Sequence, residues 1–206
     1  MIFKNRLTAA KKLAKALLKY KGQNAVIYAL PRGGVILGVE LAKQLQAPLD
    51  LIIPRKIGHP YSSEYALCAL AEHGSLVCNE AEKAGVDKHW FALELKKEQE
   101  EVKRRRKVYL SAKPRLKATN KIAIIVDDGV ATGLTMKAAI LDVRKQEPKK
   151  IVVAVPVISK QTTSDLEVDE VVALEKPILF RGSIGAYYQE FEQVNDNEVV
   201  KLLANL

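Results

Sequence analysis

The sequence predicts an α/β fold, with one doubly wound and mainly parallel sheet that has helices on both faces. Short, continuously apolar runs alternate with segments of helical periodicity. Strands that are apolar throughout are typical of parallel sheets covered on both faces. Glycine-containing turns follow two of the runs, at residues 31–34 and 129–133. The 206 residues show no repeat or linker, so we expect one domain over residues 1–206.

The elements follow from periodicity and from turn residues. Apolar residues at Phe3, Leu7, Ala10, Ala14 and Leu17 predict an N-terminal helix. The next elements are strands at 24–29 and 51–53, with a helix at 35–45 between them. A loop at 55–63, a hairpin at 65–79 and a long helix at 86–110 follow. The second half predicts strands at 122–126, 151–157 and 170–174 and helices at 135–145 and 160–166.

The formal net charge is +9, and no acidic residue precedes Glu40. This charge favours an anionic partner without distinguishing nucleic acid, a phosphorylated metabolite or a membrane surface. A cationic, acid-free, amphipathic start can mimic an organelle transit peptide. We expect a docking helix of the mature protein instead, because a strand follows at once. No apolar run reaches the ~20 residues of a membrane span, and we expect a cytoplasmic protein.

Two further patterns have a functional and a structural interpretation. The basic cluster at 103–107 follows acidic residues and has no aromatic residues spaced along it, which favours a solvated helix face over a nucleic-acid surface. Cys68 and Cys78 flank a predicted turn at His73 and Gly74. A disulfide across the hairpin is one alternative, and we favour two reduced thiols of a cytosolic protein.

The loop after residues 122–126 is the most informative segment. Asp127 and Asp128 stand where a buried strand ends, and charges there are costly unless they have a task. A small-residue turn then opens a helix, which presents backbone N–H groups and a positive dipole end that suit a phosphate. Paired carboxylates beside a phosphate cradle suit a ribose 5-phosphate. An ordinary strand–turn–helix with a capping Asp is the structural alternative, while GxxxxGK[ST] and GxGxxG are both absent.

Residues 124–135, IIVDDGVATGLT, resemble the signature of type I phosphoribosyltransferases that binds 5-phosphoribosyl pyrophosphate (PRPP). The resemblance implies that Asp127 and Asp128 bind the ribose hydroxyls. It also implies a cradle for the 5-phosphate that consists of Ala131, Thr132, Gly133, Leu134 and Thr135. Hypoxanthine–guanine enzymes have an aspartate in the place of Ala131, so this chain looks more like the adenine and orotate enzymes. Uracil enzymes usually have proline in the place of Asp128.

Two further loops gain an interpretation from this resemblance. Arg32, Gly33 and Gly34 follow the first strand and are expected to hold pyrophosphate, in a loop that often contains a strained peptide in the family. Residues 55–110 are expected to form an insertion of flexible loop, hairpin and helix. In this insertion Arg55 and Lys56 are expected to bind PRPP and to neutralise the departing pyrophosphate. His59 or Glu64 would exchange a proton with the acceptor, although His59 suits an exposed loop equally well.

The terminal segments, residues 175–206 with 1–20, are expected to form the variable hood that covers the acceptor in this family. Tyr187 and Tyr188 are the candidates to stack on a base, and packing against the N-terminal helix is the favoured alternative. The whole chain is also similar to predicted phosphoribosyltransferases of unassigned acceptor, which share its PRGG, PRKIG and GAYY motifs.

The predicted function is transfer of the phosphoribosyl group from PRPP to an unidentified acceptor, expected to be a nitrogenous base, with release of pyrophosphate. The implied cofactor is Mg²⁺, bound through PRPP and in part by Asp127 and Asp128, and family members are commonly homodimers. The residues assigned to catalysis are Asp127, Asp128, Arg32, Lys56 and Glu64. A PRPP-sensing regulator with a nucleic-acid surface is the main alternative, although the sequence has no obvious helix-turn-helix. A purely structural basic domain is the third.

Overall fold

A computed structural model describes residues 1–111 and 114–206, except for the side chains of residues 63 and 64. The helices are α1 Arg6–Ala16, α2 Gly34–Leu45, α3 Glu80–Ala84, α4 Lys88–Leu110, α5 Leu134–Arg144, α6 Lys160–Asp165 and α7 Asp196–Ala204. The strands are β1 Ala25–Ala29, β2 Leu49–Leu51, β3 Arg55–His59, β4 Ser62–Leu70, β5 Leu76–Cys78, β6 Ile122–Val126, β7 Lys150–Val157 and β8 Glu170–Glu175. Short 3-10 helices lie at Leu18–Tyr20 and Ile184–Tyr187.

The main sheet has five parallel strands in the order β2-β1-β6-β7-β8. The chain passes from β1 to β2 on one side, and β6 then pairs with β1 on the other side. The strand order therefore reverses between β1 and β6. In such sheets, ligands bind at the carboxyl ends of the strands beside this reversal. The predicted doubly wound parallel sheet is confirmed.

Alternate residues of the central strands face opposite layers of helices. Ile27, Ile124 and Val152 belong to a core shared with α1, α2 and α7. Val26, Ile125 and Val153 belong to a second core, which α5 covers. Both faces are buried, which is the physical reason why these strands are apolar throughout.

The first helix is part of the main core. Asn5 caps it, with its side chain accepting from the backbone N–H of Thr8. Ala10, Leu13 and Ala14 are buried, whereas Leu7 remains about half exposed. No helix in the described ranges is both long enough and apolar enough to cross a membrane.

Residues 55–63 were expected to form a loop, and this prediction was wrong. Residues Arg55–His59 form β3, which pairs with β4 in an antiparallel three-stranded sheet with β5. The Gly, Pro and Ser content of this segment favoured a loop. The segment is a strand without an apolar run, because only Ile57 of β3 is buried. The second strand also begins earlier than predicted, at Leu49. The hairpin prediction for residues 65–79 agrees with β4 and β5.

Cys68 and Cys78 lie directly opposite each other on β4 and β5 and form a disulfide, with their Cα atoms 4.0 Å apart. The structure thus has the disulfide that the spacing around the turn allows, and not the two reduced thiols that we favoured.

The basic cluster of α4 is only in part a solvated face. Arg104 and Arg105 pair with Glu101, as expected for a helix surface. Arg106 instead points inward and donates to the Leu51 carbonyl at 2.8 Å and to the buried Asp50 carboxylate at 3.2 Å. It therefore fastens α4 to the end of β2.

Gly38 allows α2 to pack closely on the sheet, because a Cβ atom there would lie 2.6 Å from Ala29 Cβ. Overpacking of this kind costs about 1–3 kcal/mol, whereas replacing a helical glycine with alanine gains about 0.5–1 kcal/mol. We expect Gly38→Ala to lower the free energy of unfolding in urea. Gly85→Ala is the control, because the nearest atom to its Cβ would be 3.6 Å away. Equal stability of the two variants would contradict this account of the packing.

Candidate active site

Two loops meet at the reversal in strand order. Ala29 and Val126 are paired residues at the ends of β1 and β6, so the loops that follow them start side by side. A Cβ atom on Gly33 would lie 1.9 Å from Asp128 Oδ2, and one on Gly34 would lie 2.9 Å from Asp127 Oδ1. The two glycines are therefore required for the backbone of one loop to lie against the carboxylates of the other.

In the acid pair, Asp127 and Asp128, one oxygen of each carboxylate accepts a hydrogen bond from another residue of the described structure and the second oxygen does not. The backbone N–H of Asp128 donates to Asp127 Oδ1 at 2.8 Å, and Arg6 Nε donates to Asp128 Oδ2 at 2.7 Å. Within residues 1–111 and 114–206, no other residue donates a hydrogen bond to the second oxygen of either carboxylate. No buried side-chain oxygen or nitrogen in the described structure lacks a partner. Those two oxygens therefore retain some exposure to solvent.

Burial raises the pKa of both carboxyl groups. For Asp127 the neighbouring Asp128 charge adds to this effect, and the pKa lies well above its ordinary value. For Asp128 the Arg6 guanidinium opposes the effect of burial, although the net shift of the pKa is still upward. Two adjacent carboxylates in one site give this result, because a like charge and loss of water both disfavour ionisation.

The loop after the acid pair is fixed at the start of α5. Val130 N–H donates to the Val157 carbonyl at 2.9 Å, and Thr162 Oγ1 donates to the Ala131 carbonyl at 2.7 Å. Gly133 has a φ of 83°, in the left-handed region, and no side chain caps the helix that follows. The first N–H groups of α5 and its positive dipole end are thus available to an anion. Thr132 is exposed, and Leu134 and Thr135 are half-buried.

Arg6 was not among the predicted site residues, and Tyr188 was a candidate for stacking on a base rather than for contact with Asp128. The Tyr188 hydroxyl donates to the Asp128 carbonyl at 2.6 Å, so both residues hold Asp128 from the terminal segments. Burial raises the pKa of this phenol, and the Asp128 charge adds to the effect. The sequence offered only a basic residue within the predicted N-terminal helix. That signal does not indicate a contact with a residue 122 positions away.

Arg32 lies in the glycine-containing loop, but its guanidinium points toward α7. Its Nη1 is 3.8 Å from Asp196 Oδ1. Tyr109 and Arg104 also donate to Asp196, at 2.6 and 2.7 Å. The Tyr109 hydrogen bond makes the largest contribution to a lowered pKa of Asp196. Burial opposes this shift and the Arg104 contact adds to it, and the pKa remains below its ordinary value. The peptide bond between Pro31 and Arg32 is cis.

The residues of β3 and β4 are not brought to the acid pair by any contact in the described part of the chain. Arg55 Nε pairs with Glu98 on α4 at 2.5 Å. Lys56 is exposed on β3. His59 lies at the end of β3, with its ring 5.5 Å from that of Tyr61, which is 93% exposed. The side chain of Glu64 lies outside the described residues.

Tyr187 and Tyr188 are both buried. Tyr187 packs against Phe180, while Tyr188 stacks on Phe191 with ring centroids 4.8 Å apart and lies against Phe3. This geometry supports the packing alternative over stacking on a base. The Tyr188 hydroxyl contacts the loop after β6, at the Asp128 carbonyl.

A doubly wound sheet with an uncapped helix start, a glycine turn and a carboxylate pair at its strand-order reversal is typical of proteins that bind phosphorylated ligands. Residues 2–190 match the phosphoribosyl transferase domain family. The chain belongs to this family.

The relatives agree with this membership. Two proteins of Mycobacterium tuberculosis, strains CDC 1551 / Oshkosh and ATCC 25618 / H37Rv, are each named "Putative phosphoribosyl transferase". Each is 38% identical over 98% of this chain, which spans about half of their length (46%). The crystal structure of TT1426 from Thermus thermophilus is 36% identical, with a TM-score of 0.80, over 100% of this chain and 99% of that one.

The raised pKa of Asp127 predicts that the acid pair destabilises the fold at neutral pH. The folded-state pKa lies above the unfolded value, so the stability of the fold falls as pH rises between the two values. Asp127→Asn keeps the acceptor oxygen for the Asp128 N–H and removes the charge. We expect the free energy of unfolding to increase by about 1–3 kcal/mol at about pH 8. The gain should shrink as pH falls toward the ordinary aspartate pKa of about 3.9.

Urea unfolding at several pH values measures this effect. Asp165→Asn is the control, because Asp165 is exposed at the end of α6. A gain for Asp127→Asn that does not vary with pH would show that its origin is not the buried charge.

Proposed function

We propose that this protein transfers the 5-phosphoribosyl group from PRPP to a nitrogen atom of an acceptor base and releases pyrophosphate. The observation that carries the proposal is the contact between the two loops, in which Gly33 and Gly34 lie against Asp127 and Asp128 at the strand-order reversal. A ligand there would meet carboxylates and an uncapped helix start together. The proposal covers this chain and not the longer relatives.

In this proposal the ribose 5-phosphate half of PRPP binds to the loop after β6. The open oxygens of Asp127 and Asp128 accept hydrogen bonds from the vicinal ribose hydroxyls. The backbone N–H groups at residues 131–135 and the hydroxyls of Thr132 and Thr135 donate to the 5-phosphate, at the positive end of α5. The acid pair thus acts mainly by positioning the ribose.

The pyrophosphate half binds to the loop after β1. Gly33 and Gly34 leave room for a close approach of the anion, and Arg32 supplies a guanidinium after it exchanges its 3.8 Å contact with Asp196 for the ligand. As the C1–oxygen bond breaks and the nitrogen–C1 bond forms, pyrophosphate leaves with the electron pair and gathers negative charge. Arg32, with Lys56 and Arg55 from β3, would stabilise that charge more in the transition state than in the ground state. The acceptor proton would leave through His59, Glu64 or solvent.

The residues of the crevice fit Mg²⁺ that is bound mainly by the substrate. No group of three or more His, Cys, Asp or Glu side chains that could hold a metal occurs in the described ranges. Mg²⁺ usually keeps several waters and takes one or two carboxylates together with substrate phosphates. Asp127 and Asp128 supply at most these two carboxylates. Bound there, the ion would neutralise pyrophosphate oxygens.

The terminal segments are proposed as the hood over the acceptor. The backbone N–H of Phe3 donates to the Tyr187 carbonyl at 2.8 Å, and that of Gln189 donates to the Phe3 carbonyl at 2.9 Å, so the two ends of the chain form one unit beside the crevice. Because Tyr187 and Tyr188 are buried, other residues of this unit must contact the base. Ala131 supplies no carboxylate for proton exchange with a purine N7, which argues against a hypoxanthine–guanine type of acceptor contact.

Thermal-shift measurements with Mg-PRPP, followed by assays of pyrophosphate release with a panel of nitrogenous bases, test the proposal. We expect Mg-PRPP at about 100 times its Kd to stabilise the protein by about 2.7 kcal/mol. At least one base should give PRPP-dependent pyrophosphate release. Stabilisation without release for any base would favour a PRPP-sensing regulator, and no stabilisation by Mg-PRPP would refute the assignment of the site.

A further inference from the structure

We propose that Arg6 is a positioning residue that holds the Asp128 carboxylate in the orientation that receives the ribose hydroxyls, and that it couples this carboxylate to the C-terminal segment. The inference rests on the proposed function. It assigns a role to an N-terminal residue outside both substrate-binding loops.

Three contacts fix the Arg6 guanidinium. Nε donates to Asp128 Oδ2 at 2.7 Å, and Nη1 donates to the Glu192 carbonyl at 2.7 Å. The guanidinium also lies over the Phe191 ring, 3.7 Å from its centroid. Arg6 is only 9% exposed. A buried cation with these partners has one orientation, and so does the carboxylate oxygen that it binds.

The backbone of Arg6 is fixed as well. The cap formed by Asn5 and Thr8 starts α1 at Arg6. Just before the helix, the Lys4 carbonyl accepts from the Glu190 N–H at 2.9 Å. The Asn5 side chain also donates to Glu190 Oε2 at 2.9 Å. Arg6 thus links the acid pair to the segment that carries Phe191 and Glu192.

Arg6 acts through Asp128 and does not itself contact the substrate. Its contact is with Oδ2, while no other residue in 1–111 and 114–206 donates to Oδ1, which is not fully buried. Within those ranges, no other basic side chain forms an ion pair with Asp127 or Asp128. Arginine suits this position better than lysine, because a planar fork can donate to a carboxylate and a carbonyl while it stacks on an aromatic ring.

The test compares ligands that use different halves of the site. Arg6→Met keeps an apolar side chain against Phe191 and removes both donors. We expect it to weaken the binding of Mg-PRPP and of ribose 5-phosphate by about 10- to 100-fold in calorimetry. Mg-pyrophosphate has no ribose and is not expected to contact the carboxylates of the acid pair. Its binding should therefore change by less than about twofold. Arg6→Lys keeps the charge and is expected to recover part of the ribose 5-phosphate affinity.

The control is Arg144→Met, which also removes a guanidinium that donates to a carboxylate and to a backbone carbonyl, both of Glu167, but at the last residue of α5, at the end of the helix away from the acid pair. It should bind all three ligands as the wild type does. If Arg6→Met lost affinity for ribose 5-phosphate and pyrophosphate equally, or for neither, the inference would be overturned. Should Arg6→Met fail to fold, the same three ligands are compared with Arg6→Lys, which should lose affinity for ribose 5-phosphate but not for pyrophosphate. Failure of the wild-type protein to bind Mg-PRPP would refute the proposed function instead.

Discussion

Replacement of both Asp127 and Asp128 with asparagine is expected to abolish binding of Mg-PRPP while the fold is retained. The two open carboxylate oxygens are the acceptors proposed for the ribose hydroxyls. Amide oxygens accept more weakly, and the amide nitrogens would compete as donors. Loss of two charge-assisted hydrogen bonds corresponds to a decrease in affinity of at least about 100- to 1,000-fold.

Calorimetric titration of the double variant with Mg-PRPP measures this effect, and Asp165→Asn serves again as the exposed control. The double variant should remain folded, because an asparagine at 127 can still accept from the backbone N–H of residue 128 and one at 128 can still accept from Arg6. Undiminished affinity for Mg-PRPP would mean that the phosphoribosyl site has been assigned to the wrong loop.

Gly33→Ala is expected to have an effect of similar size through sterics alone. A Cβ atom at this position would lie 1.9 Å from Asp128 Oδ2 and 2.9 Å from Arg6 Nε. Neither group can withdraw easily, since Arg6 is held by Glu192 and Phe191. The loop must therefore move, or the Arg6–Asp128 ion pair must break. We expect Mg-PRPP affinity to fall by about 100-fold or more, since breaking a buried ion pair costs about 3–5 kcal/mol.

The free energy of unfolding of Gly33→Ala should also fall, in contrast with the gain expected for Asp127→Asn. Gly85→Ala, which has ordinary contact distances, is the matched control for both measurements. A Gly33→Ala protein with wild-type affinity and stability would show that the two loops do not lie in contact as described.

The terminal segments connect these predictions. Arg6 and Tyr188 come from opposite ends of the chain and both hold Asp128, so this residue, proposed to bind the ribose, is oriented by the unit proposed to cover the acceptor. A variant that loosens this unit should therefore affect ribose binding before it affects pyrophosphate binding.

The sequence by itself determined the parallel sheet and the positions of the two glycine-containing loops that are proposed to bind the ligand. Strands such as residues 122–126 are apolar throughout because both faces are covered, and this is a local property of five consecutive residues. Asp127 and Asp128 at a strand end, followed by a small-residue turn, are likewise a local pattern. Local patterns of this kind can be found from one sequence.

Only the tertiary structure decided what surrounds those loops. The sequence does not show that Arg6 meets Asp128 across 122 positions, that Arg106 turns inward to Asp50, or that Tyr187 is buried beside Phe180. Nor does it indicate that β3 is a strand, because the stability of β3 comes from pairing with β4 and only one of its residues enters a core. These features depend on where distant segments cross, and periodicity within a short window contains no information about that crossing.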